Sequence, residues 1–377
     1  MKKKIIFVTA TRADFGKIKS LIQTVKIIKK FNCNIVVTGM HLIPAFGNTY
    51  KEVDKIFKKD VFKFKNQKDG DSLTEILNNT IKNFTTTVKK IKPDLIVIHG
   101  DRVETLACAI VGAMNHILTA HIEGGELSGT IDDSIRHAVT KLSHVHFVGS
   151  NSAKKIVLGM GEKKNTVYNI GSPDLDLILK KKLPKIIDVK KRYEIPFNTY
   201  GILIWHPVTS EINLLQVNTQ NLLKFLIKTE ENMIVINPNN DPGYNKILGV
   251  FQRYQKQKNF KFFPSIRFEN FIVLLKNAKF IIGNSSAGVY EAPLVNTPSV
   301  DVGTRQKKRL SSKAIKNFSV RQLNLKNFYS FIKNYKKDKA KYYGKGDSAK
   351  RFLKAINSPT FWKISTQKYF YKKNDNH

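Results

Sequence analysis

The chain has 377 residues, 41% of them hydrophobic and 10% aromatic, which fits two globular domains that each bury a core. No apolar run reaches the ~18 residues of a membrane span, and the stretch after Met1-Lys2-Lys3-Lys4 is too short for a leader, so a cytoplasmic protein without a membrane partner is expected. The formal charge of +36, from 65 Lys+Arg against 29 Asp+Glu, lies in scattered groups such as Lys29-Lys30, Lys180-Lys181-Lys182 and Lys307-Lys308, which argues against nucleic acid while leaving a field that draws polyanions into a cleft.

Short, wholly apolar runs predict strands at Ile5 to Ala10, Asn34 to Thr38, Leu95 to His99, Leu118 to Ile122, Val145 to Val148 and Val167 to Ile170. Helices lie between them: Leu73, Leu77, Ile81, Phe84, Val88 and Ile91 recur at three- and four-residue steps, as do Val103, Leu106, Ile110 and Met114. A helix after Ser172-Pro173 runs into a lysine- and proline-marked stretch, read as a linker over 181–198 that ends a first domain of 1–180. A second series follows, with strands at Gly201 to Trp205, Met233 to Asn237, Lys279 to Gly283 and Ser299 to Val302, and helices near Leu214 to Thr229 and Phe268 to Asn277. It fills a second domain of 199–355, and 356–377 is expected to form a helix that packs back on the first. The fold class is α/β, two Rossmann-like domains facing across a cleft. Cys33 and Cys108 have no metal-ligand spacing, and no metal site is expected.

In open parallel sheets the polar residues just after each strand face the ligand. After the first strand stands Thr11-Arg12-Ala13-Asp14-Phe15-Gly16-Lys17, where Arg12, Lys17 and backbone N–H groups could hold a phosphate, or Asp14 could simply cap a helix with Lys17 in solvent. Asp101 in His99-Gly100-Asp101-Arg102 is either an N-cap or an acid, and Glu123 in His121-Ile122-Glu123-Gly124-Gly125-Glu126 lies on the neighbouring rim. As close carboxylates the two would push each other's pKa values apart. Asp132 and Arg136, four apart in Thr130-Ile131-Asp132-Asp133-Ser134-Ile135-Arg136-His137, form either a surface ion pair or part of the site.

In the second half, His206 ends a strand in Trp205-His206-Pro207, as a structural histidine or one turned to the other domain. Gly283-Asn284-Ser285-Ser286-Ala287-Gly288-Val289-Tyr290-Glu291 has the small residues and hydroxyls of a phosphate turn, with Ser285, Ser286 and Gly288 at the phosphates and Glu291 placed to grip a ribose diol.

From Arg12 to about Arg309 these segments resemble the hydrolysing UDP-N-acetylglucosamine 2-epimerases, especially the branch feeding sialic acid synthesis. The most specific stretches are Thr11-Arg12-Ala13-Asp14, His99-Gly100-Asp101-Arg102, the run from Glu123 to His137, and His206-Pro207-Val208-Thr209. The resemblance implies the glycosyltransferase-B fold, UDP held mainly by the second domain, a homodimer and no cofactor. It implies a two-stage reaction in which UDP leaves C1 as the C2 proton is removed, giving a 2-acetamidoglucal that water converts to the 2-epimeric free sugar. Asp101, Glu123 and Asp132 match the family's acidic trio, and Arg12, Lys17, His206 and the Ser285-Ser286 backbone would stabilise the departing pyrophosphate. Pro207 stands where the broader branch has arginines, and Asp132 replaces a glutamate of that branch. A sister epimerase acting on a UDP-2,4-diacetamido-trideoxyhexose is the nearest rival, and a glycosyltransferase of the same fold a remote one.

Overall fold

The computed structural model describes residues 2–68, 70–179, 183–307, 309, 312–337 and 343–369. The lysine run 180–182, Lys308 and the end of the aromatic tail from 370 onward lie outside the described residues. Two compact units emerge: one of Met1–Glu126, Asp132–Lys181 and Tyr342–His377, the other of Leu127–Ile131 and Lys182–Lys341.

The first unit holds seven parallel strands, β1 (Lys3–Thr9), β2 (Phe31–Val37), β3 (Val61–Lys63), β4 (Leu95–His99), β5 (Leu118–Ile122), β6 (Val145–Val148) and β7 (Val167–Asn169), in the order β3-β2-β1-β4-β5-β6-β7. These strands read as unbroken apolar runs because both faces are buried. Ile5, Phe7, Leu95 and Val97 face Phe15, Ile18, Leu21 and Ile22 of the helix Arg12–Lys26, together with Phe352 and Ile356 of the helix Ser348–Asn357. Their neighbours Ile6, Val8, Ile96 and Ile98 face Phe84 and Val88 of Leu73–Ile91, and Cys108 and Val111 of Val103–Met114. The segment that returns to this sheet is thus the helix Ser348–Asn357, followed by a single 3-10 turn at Phe361–Lys363 whose Phe361 is fully buried.

The second unit has six parallel strands, β8 (Gly201–Ile204), β9 (Met233–Ile236), β10 (Phe260–Phe263), β11 (Ile281–Gly283), β12 (Ser299–Val302) and β13 (Ile315–Phe318), in the order β10-β9-β8-β11-β12-β13. Its core joins Leu203, Val235 and Val300 to Leu222 and Leu226 of the helix Leu215–Lys228 and to Phe328 of Leu325–Asn334. Two doubly wound parallel α/β units make this the glycosyltransferase-B type of fold. Three strands were not legible beforehand: β3, β10 and β13. Each is an outermost strand, and Ile315–Phe318 buries only its last residue fully, so no continuous apolar run marks it. Among the described residues no helix is long and apolar enough to cross a membrane, and no three His, Cys, Asp or Glu side chains cluster as metal ligands.

Candidate active site

In the first sheet the chain reverses direction of winding between β1 and β4, so the carboxyl ends of β1, β4 and β5 lie side by side at the switch point. Helix Arg12–Lys26 starts there with a reciprocal cap. Asp14 N–H donates to Thr11 Oγ1 at 3.1 Å, and Thr11 N–H donates to Asp14 Oδ2 at 3.0 Å. Thr11 is therefore the N-cap, and Asp14 sits in the first turn instead of capping the helix. Arg12 and Lys17, expected to share a phosphate, are directed to different carboxylates: Arg12 Nε is 3.5 Å from Glu52 and Lys17 Nζ 3.1 Å from Glu123.

Glu123 follows β5 with φ at +63°, a left-handed conformation that a non-glycine residue holds only where its surroundings enforce it. Its N–H is fixed on Phe147 O at 2.9 Å, and Gly125, at φ +80°, leaves no room for a side chain because a Cβ would lie 2.4 Å from Ala153 O. The turn aims the carboxylate back over the strand ends. Oε1 accepts from Ser172 Oγ at 2.7 Å, while Oε2 accepts from Lys17 Nζ at 3.1 Å and lies 3.1 Å from His99 Nε2. The other ring nitrogen of His99 lies 3.9 Å from Asp14 Oδ1. Burial alone would raise the Glu123 pKa, but the Lys17 charge, His99 and the Ser172 hydroxyl outweigh it and hold the carboxyl well below its usual range. Glu123 is thus a carboxylate at neutral pH, with 16% of its side chain still exposed.

Asp101 does not cap the helix Val103–Met114; that position belongs to Arg102, which makes no side-chain cap. Instead Asp101 pairs with Arg136, whose second nitrogen donates to Glu126 O at 2.9 Å. His121 secures the preceding turn: Nε2 donates to Gly100 O at 2.8 Å, and Nδ1 accepts from Thr140 Oγ1 at 3.1 Å. Burial pushes the His121 pKa down to about 3, so the ring stays neutral in that one tautomer. Asp132 and Asp133 occupy the first turn of the helix Ile131–Leu142, where the dipole favours negative charge. Each rim acid has its own cation: Asp101 pairs with Arg136, and Glu123 with Lys17.

In the second unit the switch point falls between β8 and β11. Asn284, fully buried after β11, clasps the second residue beyond β8: His206 N–H donates to its Oδ1 at 2.7 Å, and its Nδ2 donates to His206 O at 2.9 Å. His206 Nδ1 accepts from Asn239 N–H at 3.0 Å, which leaves Nε2 to carry the proton of a neutral ring. Gln306 Nε2 donates to Asn284 O at 2.7 Å, and Arg305, 3.9 Å from Asp241, adds positive charge to the same rim. Ser285 caps a single 3-10 turn, Ser286–Gly288, by accepting from Ala287 N–H, and Glu291, buried, begins a four-residue helix. Gly288 is needed for packing: a Cβ there would meet Ser299 Oγ at 2.5 Å. The N–H groups of Ala287, Gly288 and Val289 donate within the turn, to oxygens of Ser285 and Ser286, and only a four-residue helix follows it.

Sequence reading gave no role to His99, Ser172, Asp174, Asn284, Asn239 or Arg305. His99 lies inside the motif His99-Gly100-Asp101-Arg102 and Ser172 three residues after β7, and position after a strand was the available signal.

Residues 23–357 match the family described as UDP-N-acetylglucosamine 2-epimerase. A UDP-N-acetylglucosamine 2-epimerase of Neisseria meningitidis serogroup B is 44% identical over 375 residues, covering 98% of both chains. A GDP/UDP-N,N'-diacetylbacillosamine 2-epimerase (hydrolyzing) of Campylobacter jejuni is 36% identical over 85% of this chain and 86% of its own. Among solved structures, a Methanocaldococcus jannaschii UDP-GlcNAc 2-epimerase superposes with a TM-score of 0.81 at 19% identity, covering 95% of this chain and 99% of that one. With the match running through nearly the whole length, the chain belongs to the UDP-N-acetylglucosamine 2-epimerase family.

Proposed function

We propose that the protein is a hydrolysing UDP-N-acetylglucosamine 2-epimerase that releases UDP and N-acetylmannosamine for sialic acid synthesis. The substrate is argued from the relative of that name at 44% identity over 98% of both chains. The chemistry is argued from one observation: Glu123 is a partly open carboxylate kept ionised by Lys17 and His99.

A C2–H with no adjacent carbonyl is too weakly acidic to be removed directly. As the C1–O bond to UDP breaks, positive charge on the ring makes that hydrogen strongly acidic, and an ionised though weakly basic carboxylate suffices. Glu123 takes the C2 proton, the C2–H electron pair forms the C1=C2 bond of 2-acetamidoglucal, and the C1–O pair leaves with UDP. In the second stage water adds across that bond, its oxygen to C1 and a proton to C2 on the opposite face. Asp101, oriented by Arg136, and Asp132 are the acids for that step. His206, Ser285, Ser286 and Gly288 of the second unit meet the diphosphate charge, and Glu291 the ribose. Lys17 acts through Glu123.

The test is incubation with UDP-N-acetylglucosamine in D₂O without added metal, following the sugar by NMR. Deuterium at C2 of free N-acetylmannosamine, appearing with UDP and abolished in Asp101→Asn, is the expected outcome. The relatives named for diacetylbacillosamine, at 34% and 36% identity, supply the second substrate to try. No turnover of either sugar overturns the proposal.

A further inference from the structure

The chain that returns to the first sheet reaches the proposed base by way of one residue. Ser172 donates from Oγ to Glu123 Oε1 at 2.7 Å, and the return grips its backbone at both ends: its N–H donates to Tyr343 O at 2.7 Å, and its O accepts from Ser348 Oγ at 3.0 Å. The two segments lie so close that each needs a glycine. A Cβ on Gly171 would stand 2.7 Å from Tyr343 O, and one on Gly344 3.1 Å from Gly171 Cα. Asp176 seats the return. Its Oδ1 accepts from Ser348 N–H at 2.8 Å and its Oδ2 from Ala349 N–H at 2.7 Å, the first two N–H groups of the helix Ser348–Asn357, where the dipole favours a carboxylate.

The donors to Glu123 differ in stiffness. Lys17 Nζ, 3.1 Å from Oε2 and 3.4 Å from Oε1, rides on a flexible four-carbon stem and can follow the carboxylate if it swings. Ser172 Oγ stands on a short arm above a backbone clamped at both its N–H and its C=O, and cannot. Resting on the reading of Glu123 as the base, we propose that Ser348 and Ser172 are positioning residues in series: Ser348 fixes the Ser172 backbone, and the Ser172 hydroxyl fixes Oε1 of the base. The C-terminal return is then part of the catalytic apparatus. Without it Lys17 still pairs with Glu123, but the carboxylate loses its aim, so the loss falls on kcat and not on substrate binding.

The same hydroxyl stabilises the ionised form of Glu123. Burial raises that carboxyl, and Lys17, His99 and then the Ser172 hydrogen bond bring it down. The titratable groups facing it are Lys17 of the helix Arg12–Lys26, His99 of β4, His121 of β5 and Asp174, which precedes the short helix Leu175–Ile178. Substitution at Ser172 or Ser348 leaves all four in place, so a change in the Glu123 titration reports the hydroxyl.

Ser348→Ala, Ser172→Ala and the double substitution, each in the full-length protein, test the series. Ser172→Ala should lower kcat about tenfold and Ser348→Ala about threefold, with KM little changed in either. The double variant should lose no more than Ser172→Ala alone, because Ser348 acts only through Ser172. In protein labelled with ¹³C at the Glu side-chain carboxyl, the Glu123 signal, assigned by its loss in Glu123→Gln, should titrate at higher pH in Ser172→Ala and, by a smaller margin, in Ser348→Ala. A serine that merely holds the return in place would not move it. Should Ser172→Ala fail to fold, Ser348→Ala decides by the same two readouts. An unchanged kcat and an unmoved Glu123 titration in Ser348→Ala, or a double variant that loses about thirtyfold, the product of the two single losses, overturns the proposal. If the wild type turns over neither nucleotide sugar, the functional reading fails, and the titration alone decides whether Ser348 reaches the Glu123 carboxylate through Ser172.

Discussion

Asp301 of β12 shows how far a single buried carboxyl ties stability to pH. It is 7% exposed, and burial pushes its pKa up to about 6 despite a hydrogen bond from Asn317 and the charges of Arg309 and Arg305. In the unfolded chain the same group titrates near 3.9, so between about pH 4 and 6 the folded state holds the extra proton and stability falls as pH rises. Asp301→Asn removes that loss, and the variant should be more stable than wild type by about 1–3 kcal/mol at pH 7.5, the two converging below about pH 4. Urea melts at the two pH values check it, and equal midpoints at both would refute it. At this scale the strand-end acids Asp101 and Glu123 were readable, because a carboxylate just after an apolar run can be placed without coordinates. Their partners were not. Ser172 lies 49 residues from Glu123 and reaches it only because β5 and β7 end in the same sheet, and Arg136 turns to Asp101, 35 positions away, through the same kind of folding.

At the scale of elements, the C-terminal segment acts as a cap for a helix far away in sequence. Lys368 Nζ donates to Thr140 O at 3.1 Å, Lys141 O at 2.8 Å and Ser143 O at 2.6 Å, closing the carboxyl end of Ile131–Leu142, the helix that carries Asp132 and Arg136. The same amine is 2.7 Å from buried Glu162, which also meets His146 and Lys141. Three carbonyls, a helix dipole and a buried anion share this cation, so Lys368→Met should cost about 2–4 kcal/mol in the urea stability of the first unit. A change below about 0.5 kcal/mol would mean the tail merely rests there. The apolar period could not foretell this, since the contact comes from one lysine among 65 Lys+Arg. The outer strands β3, β10 and β13 escaped for the opposite reason: Phe260–Phe263 mixes lysine with phenylalanine because an edge strand keeps one side wet, whereas the central strands announce themselves by burial on both faces.

For the whole molecule the excess of positive charge is the feature that neither the fold nor the proposed chemistry requires. The lysines are scattered, and several make isolated surface pairs, such as Lys3 with Asp94 and Lys26 with Asp60, which contribute little to stability. What +36 does generate is a long-range positive field, and the proposed substrate is a polyanionic nucleotide sugar. Capture and chemistry should therefore respond differently to salt. At about 0.05 M salt the Debye length exceeds 10 Å and the field reaches into solvent; at about 0.5 M it is shorter than 5 Å and only direct contacts at the strand ends remain. Accordingly kcat/KM for the nucleotide sugar should fall about tenfold across that range, while kcat, which the proposed chemistry assigns to Glu123 and Asp101, changes less than about twofold. Steady-state kinetics over the salt series separates the two terms. A flat kcat/KM would assign the lysine excess to solubility or to another partner, and a parallel fall of kcat would mean that salt reaches the Lys17–Glu123 and Arg136–Asp101 pairs themselves.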